Sequence, residues 1–398
     1  MEAILIFIFL CVVAFFHIRR WTGRHHTDNA GFLWGLFFFH FLLMGIYLSY
    51  AFATVSDSFE YFRIAKTAED WGNLWGTGTS FINFITWPLA QMGLSYASIT
   101  FLYSYLGFWG VGMLYFAGRE QVGFLPPVWE RLTWAELIWL LPNIHFWSSS
   151  LGKGSVALFA VALYVYGLSR YNQRIVFIVA GIFIAYMLRP HLAFIMALGT
   201  AIGILFTNRG VPWYIRAGIV IFGGIGSIFF FQGAQELISV KEGSAQMLAE
   251  FIDKRAKGLT AARSGIDIEN YNTLMKVFTF LYRPLFFDAN GVLGLIVSIE
   301  NAFYLYMAWV ILKIGLPRFG RWNGWFKAGL FVFLMGTYAL AQISGNLGLA
   351  MRQKAQIMPL YFLLFLKMKE WEFESENPLL SMMRKPVWQK IFSVRNRS

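Results

Sequence analysis

Cysteine is almost absent from this sequence: Cys11, within an apolar run, is the only one in 398 residues. A single thiol excludes an intrachain disulfide framework and any metal cluster built on several cysteines. A thiol surrounded by apolar side chains is also a poor thiolate nucleophile, which argues against cysteine-based catalysis.

Charged residues are also scarce. Charged residues make up 14% of the chain and hydrophobic residues 58%, with a mean hydropathy of +0.55. Soluble domains carry roughly 25% charged residues, so the composition excludes an ordinary soluble protein. The 42 Phe and 16 Trp suit an acyl-chain environment with aromatic belts at its interfaces. The net charge of +12 therefore does not indicate a nucleic-acid surface. The distribution of the basic residues among the loops indicates instead how the chain is oriented in the membrane.

Apolar runs follow one another almost from end to end, and no internal repeat is visible. The N-terminus MEAILIFIFL has an acidic residue where a signal peptide has basic ones, so residues 3–17 are predicted to be a retained, short first helix. A spanning helix needs roughly 17–25 apolar residues. The predicted spans are 3–17, 31–53, 96–117, 134–147, 155–168, 175–188, 192–207, 213–231, 291–312, 328–344 and 355–368. The stretch 81–94, which contains Pro88, is predicted to be an interfacial helix.

Most of the 33 Lys and Arg residues fall in cytoplasmic segments if the N-terminus is outside. The positive-inside rule then predicts an all-α polytopic protein of about eleven spans, with its N-terminus outside and its C-terminus in the cytoplasm. Residues 1–370 form one membrane domain in this prediction, and 371–398 form a cytoplasmic tail. The predicted location is the bacterial cytoplasmic (inner) membrane, as a multi-pass protein among membrane lipids.

One segment, 232–288, is long enough to form a moderate extracytoplasmic loop. Within it Met247, Leu248, Phe251 and Ile252 recur at helical spacing beside charged residues. This pattern predicts an amphipathic helix over 245–257 that lies on the outer membrane surface or covers a cavity.

The first outer loop, SDSFEYFRIAKTAEDWG, carries two acidic candidates. Asp57 and Glu60 are three residues apart, so they share a face if the segment is helical. A carboxylate at the membrane surface can act as a general base toward a sugar hydroxyl or hold a divalent cation. The other interpretation is an ordinary solvated loop with a helix N-cap at Ser56 or Asp57.

A second polar cluster, PNIHFWSSSLGKGS over 142–155, interrupts two apolar runs. Polar backbone at membrane depth is tolerated only where it lines a cavity or is buried in protein. The GKGS sequence lacks the spacing of a phosphate loop and a preceding strand, which excludes a nucleotide site. His145 and Lys153 are the substrate-binding candidates here, with Lys153 an anion contact. A polar hairpin turn explains the cluster equally well.

Three further motifs place cations next to apolar spans, where charged residues are costly and default to functional candidates. The segment IAYMLRPHLAF supplies Arg189 and His191, and YRPLFFDAN supplies Arg283 and Asp288 ahead of Glu300 in the next span. The segment GNLGLAMRQKAQIMP supplies Arg352 and Lys354. Snorkelling of long side chains to the interface is the alternative for these cations.

These cations all fall outside in the predicted topology, against the general positive-inside bias. Guanidinium forks suit phosphate oxygens. Burial of so many charges is tolerable only if they pair or share a hydrated cavity, so the five motifs are expected to converge.

The chain resembles the GT-C glycosyltransferase superfamily and the related Wzy/EpsG-like polysaccharide polymerases. The resemblance covers roughly residues 30–370 and rests on the acidic first loop (Asp57, Tyr61 and Ala65), on LPNIHFWSSSLGKGS, on the RPH turn, on FLYRPLFFDAN with SIEN, and on MRQKAQIMP. It implies an inner-membrane enzyme that uses a polyprenyl-(pyro)phosphate sugar, with Asp57 at the position of the acidic catalytic residue. Ser58 follows Asp57 where a second acidic residue would make a firm pair, so a metal-dependent mechanism does not follow.

The favoured function is transfer of a sugar or oligosaccharide from a polyprenyl-(pyro)phosphate donor to a glycan or lipid acceptor at the extracytoplasmic face. Asp57 or Glu60 would deprotonate the acceptor hydroxyl, and the arginines would stabilise the departing (pyro)phosphate. No cofactor is expected, although a divalent cation is compatible with the carboxylates. The alternatives are a transporter or flippase of a lipid-linked saccharide, to which discontinuous helices are suited, and a non-catalytic subunit of an export complex.

Overall fold

The structure, a computed structural model, describes residues 1–25, 29–54, 56–129, 132–207, 217, 268, 270–289 and 291–378. The predicted span over 213–231 (except residue 217) and the predicted amphipathic helix over 245–257 lie outside the described residues.

The described residues are mostly helical, and their helices follow the apolar runs of the sequence. The α-helices are α1 (Glu2–His25), α2 (Ala30–Ala53), α3 (Asp57–Thr67), α4 (Thr79–Gln91), α5 (Tyr96–Gln121), α6 (Trp134–Leu137), α7 (Pro142–Ser148), α8 (Lys153–Ser169), α9 (Tyr171–Leu188), α10 (Pro190–Leu205), α11 (Thr273–Tyr282), α12 (Gly291–Val310), α13 (Gly324–Ile343), α14 (Leu347–Lys354) and α15 (Met358–Glu376). Short 3₁₀ helices cover Gly72–Leu74, Ile138–Leu140 and Leu316–Arg321, and a π-helix covers Ile311–Gly315. Two short antiparallel strands, Pro127–Trp129 and Leu132–Thr133, form the only sheet of the described part.

The chain divides into two compact units. The first unit comprises Met1–Pro190 with Leu366–Ser398, and the second comprises His191–Phe365. In the first unit α5 lies centrally, packed against α8, α1 and α2. In the second unit α13 packs against α11 and α14.

Six described helices are long and apolar enough to cross a bilayer, which is the architecture of an all-α polytopic membrane protein. They are Glu2–His25, Ala30–Ala53, Tyr96–Gln121, Tyr171–Leu188, Gly294–Arg321 and Gly324–Ile343. A seventh span results if α7 and α8, which meet at a bend of 114°, form one broken crossing.

The candidate span over 134–147 is not one continuous helix. Thr133 and Glu136 form a capping box that starts the short helix α6, and a 3₁₀ turn follows it. Pro142 then starts α7, because its fixed φ and missing N–H suit the first turn of a helix. Hydropathy does not register such starts and stops, since every residue type involved can occur in an apolar run.

Candidate functional site

Helix α3 carries the two acidic candidates, and its start is set by a serine. The Ser56 side chain accepts a hydrogen bond from the Ser58 backbone N–H at 3.4 Å, so Ser56 is the N-cap. Asp57 and Glu60 lie in the first turn, where carboxylates complement the helix dipole. The segment is helical and begins at an N-cap on Ser56, which is one of the two N-cap positions that the alternative interpretation of this loop named.

Arg63 pairs with Glu60 one turn further along α3, with Oε1 2.5 Å from a guanidinium nitrogen and Oε2 2.8 Å from Nε. These hydrogen bonds lower the pKa of Glu60 below its ordinary value. Glu60 is thus held ionised, which makes it a hydrogen-bond acceptor and a weak base.

An open groove of about 440 Å³ lies beside α3 and has the size of a small-ligand site. Glu60, Arg63 and Lys66 provide its charges, and Phe59 and Phe62 provide apolar surface. The remaining lining residues are Thr54, Ser56 and Thr67. A carboxylate beside two cations suits a ligand that has both hydroxyl groups and an anionic group.

The opposite, buried side of α3 ties it to the second predicted cluster. Tyr61 is 5% exposed, and a Cβ built on Gly152 would lie 3.0 Å from its ring. Gly152 has a φ of +142°, so this position is reserved for glycine by both backbone and space. Lys153 follows directly and starts α8.

Gly78, the residue before α4, connects the segment before the RPH turn to Lys153. The Gly78 N–H donates to the Met187 carbonyl at 2.7 Å, two residues before Arg189. A Cβ on Gly78 would lie 3.9 Å from the Lys153 Nζ. In the first unit, therefore, α3 packs beside the GKGS segment, and Gly78 lies next to both Lys153 and the end of α9.

His145 takes a different place. It is fully buried, with its Nδ1 2.8 Å from the Nδ1 of His40 and its Nε2 2.5 Å from the Trp139 carbonyl oxygen. This arrangement leaves His145 no surface for a substrate and gives it a role in joining α2 to α7. The sequence offered no sign of the His40 partner, which lies 105 residues away.

In the second unit the YRPLFFDAN, SIEN and MRQK motifs come together around one lysine. The Lys354 Nζ lies 3.0 Å from the Leu281 carbonyl oxygen and 2.6 Å from Asn301 Oδ1. Arg283 pairs with Asp288, with 2.5 Å between Nε and Oδ2. Glu300 accepts a hydrogen bond from the Tyr304 hydroxyl one turn along α12.

The remaining candidates of the second unit lie nearer the surface than Lys354. Arg352 is half-buried on the same short helix as Lys354, and His191 is exposed on the first turn of α10. Lys354 itself is fully buried, so it is not placed to touch a substrate directly. That the cations of the two units share one cavity stays a prediction.

A charged cluster that the sequence prediction missed lies at the end of α5. Arg174 donates two hydrogen bonds of 2.7 Å to the two oxygens of Glu120, and the Arg170 guanidinium lies 3.3 Å from Oε1. The His25 Nδ1 lies 3.2 Å from the same carboxylate, and Ser169 donates to it at 2.9 Å. A lone acidic residue in the last turn of a long apolar helix was the one available signal.

Within the described part of the chain, no group of three or more His, Cys, Asp or Glu side chains is arranged to hold a metal ion. Comparison of the chain with protein-family models, with curated proteins and with solved structures gave no match.

Proposed function

We propose that this protein transfers a sugar or oligosaccharide from a polyprenyl-(pyro)phosphate donor to a glycan or lipid acceptor, at the outer face of a bacterial cytoplasmic membrane. The proposal includes the GT-C-like or Wzy-like character inferred from the sequence, about eleven spans, and an N-terminus outside with a C-terminus inside.

The observation that carries the proposal is the attachment of α3 to the start of α8. Asp57 lies in the first turn of α3, and Tyr61, one turn further along, packs on Gly152 next to Lys153. A carboxylate and an ammonium group are thereby mounted on one packed unit, as transfer from a phosphate-linked donor requires. Positioning of this kind supplies much of the rate enhancement of group transfer.

The proposed step is displacement at the anomeric carbon. The acceptor oxygen forms a bond to that carbon, and its proton passes to the carboxylate of Asp57. The bond between the anomeric carbon and the donor phosphate oxygen breaks, and its electron pair leaves with the (pyro)phosphate. Lys153 and Arg189 would stabilise the charge that develops there. Glu60, kept ionised by Arg63, would accept hydrogen bonds from substrate hydroxyls in the groove.

Asp57→Asn is expected to lower the rate of transfer at least about 100-fold, because a general base contributes roughly 10²–10⁴ to a rate. Purified protein in vesicles would be supplied with the lipid-linked saccharides extracted from its host. The measurement is the appearance of free polyprenyl (pyro)phosphate together with an enlarged glycan or lipid acceptor.

Glu69→Gln is the matched control, because Glu69 is an exposed carboxylate just beyond α3 and outside the groove lining. It should keep activity within about twofold, with the same amount of protein in the membrane. Full activity in Asp57→Asn would remove Asp57 as the base, and full activity in Glu60→Gln as well would remove the carboxylate mechanism.

A flippase or transporter of lipid-linked saccharides is the second candidate, and the break between α7 and α8 favours it. The two helices meet at 114° across a serine- and glycine-rich turn, and broken helices are common at transporter binding sites. The same vesicles separate the two functions. A transporter would move the lipid-linked saccharide to the other leaflet without releasing free polyprenyl (pyro)phosphate, whereas the enzyme releases it.

The proposed topology makes its own prediction. A reporter that is active only in the cytoplasm should be active when fused after residue 320 and silent when fused within 240–270, because the first point follows a basic segment and the second lies in the long outer loop. The reverse result at either point would invert that part of the map and move the acidic loop to the other face.

A further inference from the structure

The turn over residues 281–288, between α11 and α12, is held from inside the second unit by one buried lysine. The Lys354 ammonium donates to the Leu281 carbonyl oxygen at 3.0 Å and to Asn301 Oδ1 at 2.6 Å. Lys354 is 0% exposed. The ammonium therefore connects α14 to the end of α11 and to the middle of α12.

Asn301 extends this connection to the far side of Arg283. Its Nδ2 donates to the Pro284 carbonyl oxygen at 2.8 Å, and Asn301 itself is fully buried. The carbonyls of Leu281 and Pro284, which bracket Arg283 in the sequence, are thus both fixed by the Lys354–Asn301 pair. The amide of Asn301 is used at both ends, as acceptor and as donor.

A buried ammonium group is costly unless nearby groups compensate it. Burial lowers the pKa of Lys354, and the nearby Glu300 opposes that shift. Ionisable groups in such surroundings are retained mainly where they serve a function. The function that the contacts indicate is control of the backbone on each side of Arg283.

Arg283 is the accessible end of this arrangement. Asp288 accepts from its Nε at 2.5 Å and, through the other oxygen, from the Leu285 N–H at 2.5 Å. Nη1 donates weakly to the Tyr271 hydroxyl at 3.4 Å, and Nη2 has no hydrogen-bond partner among the described residues. The Arg283 side chain keeps 14% of its surface exposed. A guanidinium fixed at Nε and open at Nη2 suits a phosphate oxygen.

We infer that Lys354 and Asn301 are positioning residues that hold Arg283 as the phosphate-binding residue of the second unit. The inference rests on the proposed function, because it takes from that function a substrate that carries phosphate groups. It reassigns Lys354 from direct substrate contact to support of the residue that makes the contact.

Binding of inorganic pyrophosphate to the purified full-length protein tests this inference without turnover. At constant ionic strength, Arg283→Ala should raise the Kd for pyrophosphate about tenfold or more, because the substitution removes a charge-assisted hydrogen bond to the phosphate. Asn301→Ala should raise it about three- to tenfold. Lys276→Ala, a half-buried cation on α11 of the same unit, is the control and should change the Kd less than twofold.

The double variant Arg283→Ala/Asn301→Ala separates positioning from general support. If Asn301 acts only through Arg283, the double variant should bind pyrophosphate no more weakly than Arg283→Ala alone. If Lys354→Met folds, it provides a second test and should also weaken pyrophosphate binding. If it does not fold, Asn301→Ala alone tests the positioning role. Unchanged affinity in Arg283→Ala, equal losses in Lys276→Ala, or additive losses in the double variant would each overturn the inference. Because pyrophosphate binding needs no acceptor, failure here is distinct from failure of sugar transfer in vesicles.

Discussion

Glu120→Gln is expected to lower the free energy of unfolding by about 3–5 kcal/mol, the usual effect of removing one partner from a buried ion pair. The Glu120 side chain is 1% exposed and receives two hydrogen bonds from Arg174, whose own side chain is 3% exposed. A neutral amide cannot balance that guanidinium or the nearby Arg170. The cluster joins α1, α5 and α9, so loss of the ion pair would weaken the packing of all three helices in the first unit.

The stability measurement compares midpoints of unfolding in one detergent at one heating rate. Glu376→Gln, which neutralises an exposed carboxylate at the end of α15, is the matched control and should leave the midpoint unchanged. The double variant Glu120→Leu/Arg174→Met removes both main charges and should be more stable than Glu120→Gln, since replacing a whole buried pair is often nearly neutral. An unchanged midpoint in Glu120→Gln would mean that the pair contributes nothing to folding.

Long apolar helices could be predicted closely from sequence. The predicted span 31–53 corresponds to Ala30–Ala53 and the predicted span 96–117 to Tyr96–Gln121. Hydropathy succeeds here because these runs contain no prolines and no helix starts in their interiors. It fails over 134–147 because Thr133 and Pro142 create new helix starts at the edge of an apolar stretch and inside it.

The proximity of some polar motifs within one unit could also be predicted from the sequence, but the contacts of their residues could not. The clustering of YRPLFFDAN, SIEN and MRQK in one unit follows from the cost of isolated charges near hydrocarbon. The partners of Lys354 are a backbone carbonyl and an asparagine, and backbone acceptors leave no trace in a sequence. Glu120 was missed for a related reason, since its partner Arg174 lies 54 residues away and has the pattern of an ordinary cytoplasmic cation.

Gly203→Leu is also expected to lower the stability of the protein strongly, because it would force α10 and α13 apart in the second unit. A Cβ on Gly203 would lie 2.4 Å from both the Cα and the backbone N of Ala328, and one on Gly199 would lie 2.6 Å from Val332 Cγ2. Glycines four residues apart let two helices approach at backbone distance, a common device in membrane proteins. Lys327 reinforces the contact by donating to the Phe206 carbonyl oxygen at 2.8 Å, at the end of α10.

The clash at Gly203 is with backbone, so no change of rotamer can relieve it and one of the helices must move. Overpacking costs roughly 1–3 kcal/mol where side chains can adjust, and we expect at least the upper end of that range for Gly203→Leu. Gly203→Ala should already lower the unfolding midpoint in detergent. Gly45→Ala is the matched control, because a Cβ on this helical glycine would meet no packing neighbour from the described structure within 4 Å. At Gly45 the better helix propensity of Ala should raise stability by roughly 0.5–1 kcal/mol. Gly45→Ala and Gly203→Ala should therefore change stability in opposite directions. A Gly203→Ala variant as stable as Gly45→Ala would show that α10 and α13 are not packed at backbone distance.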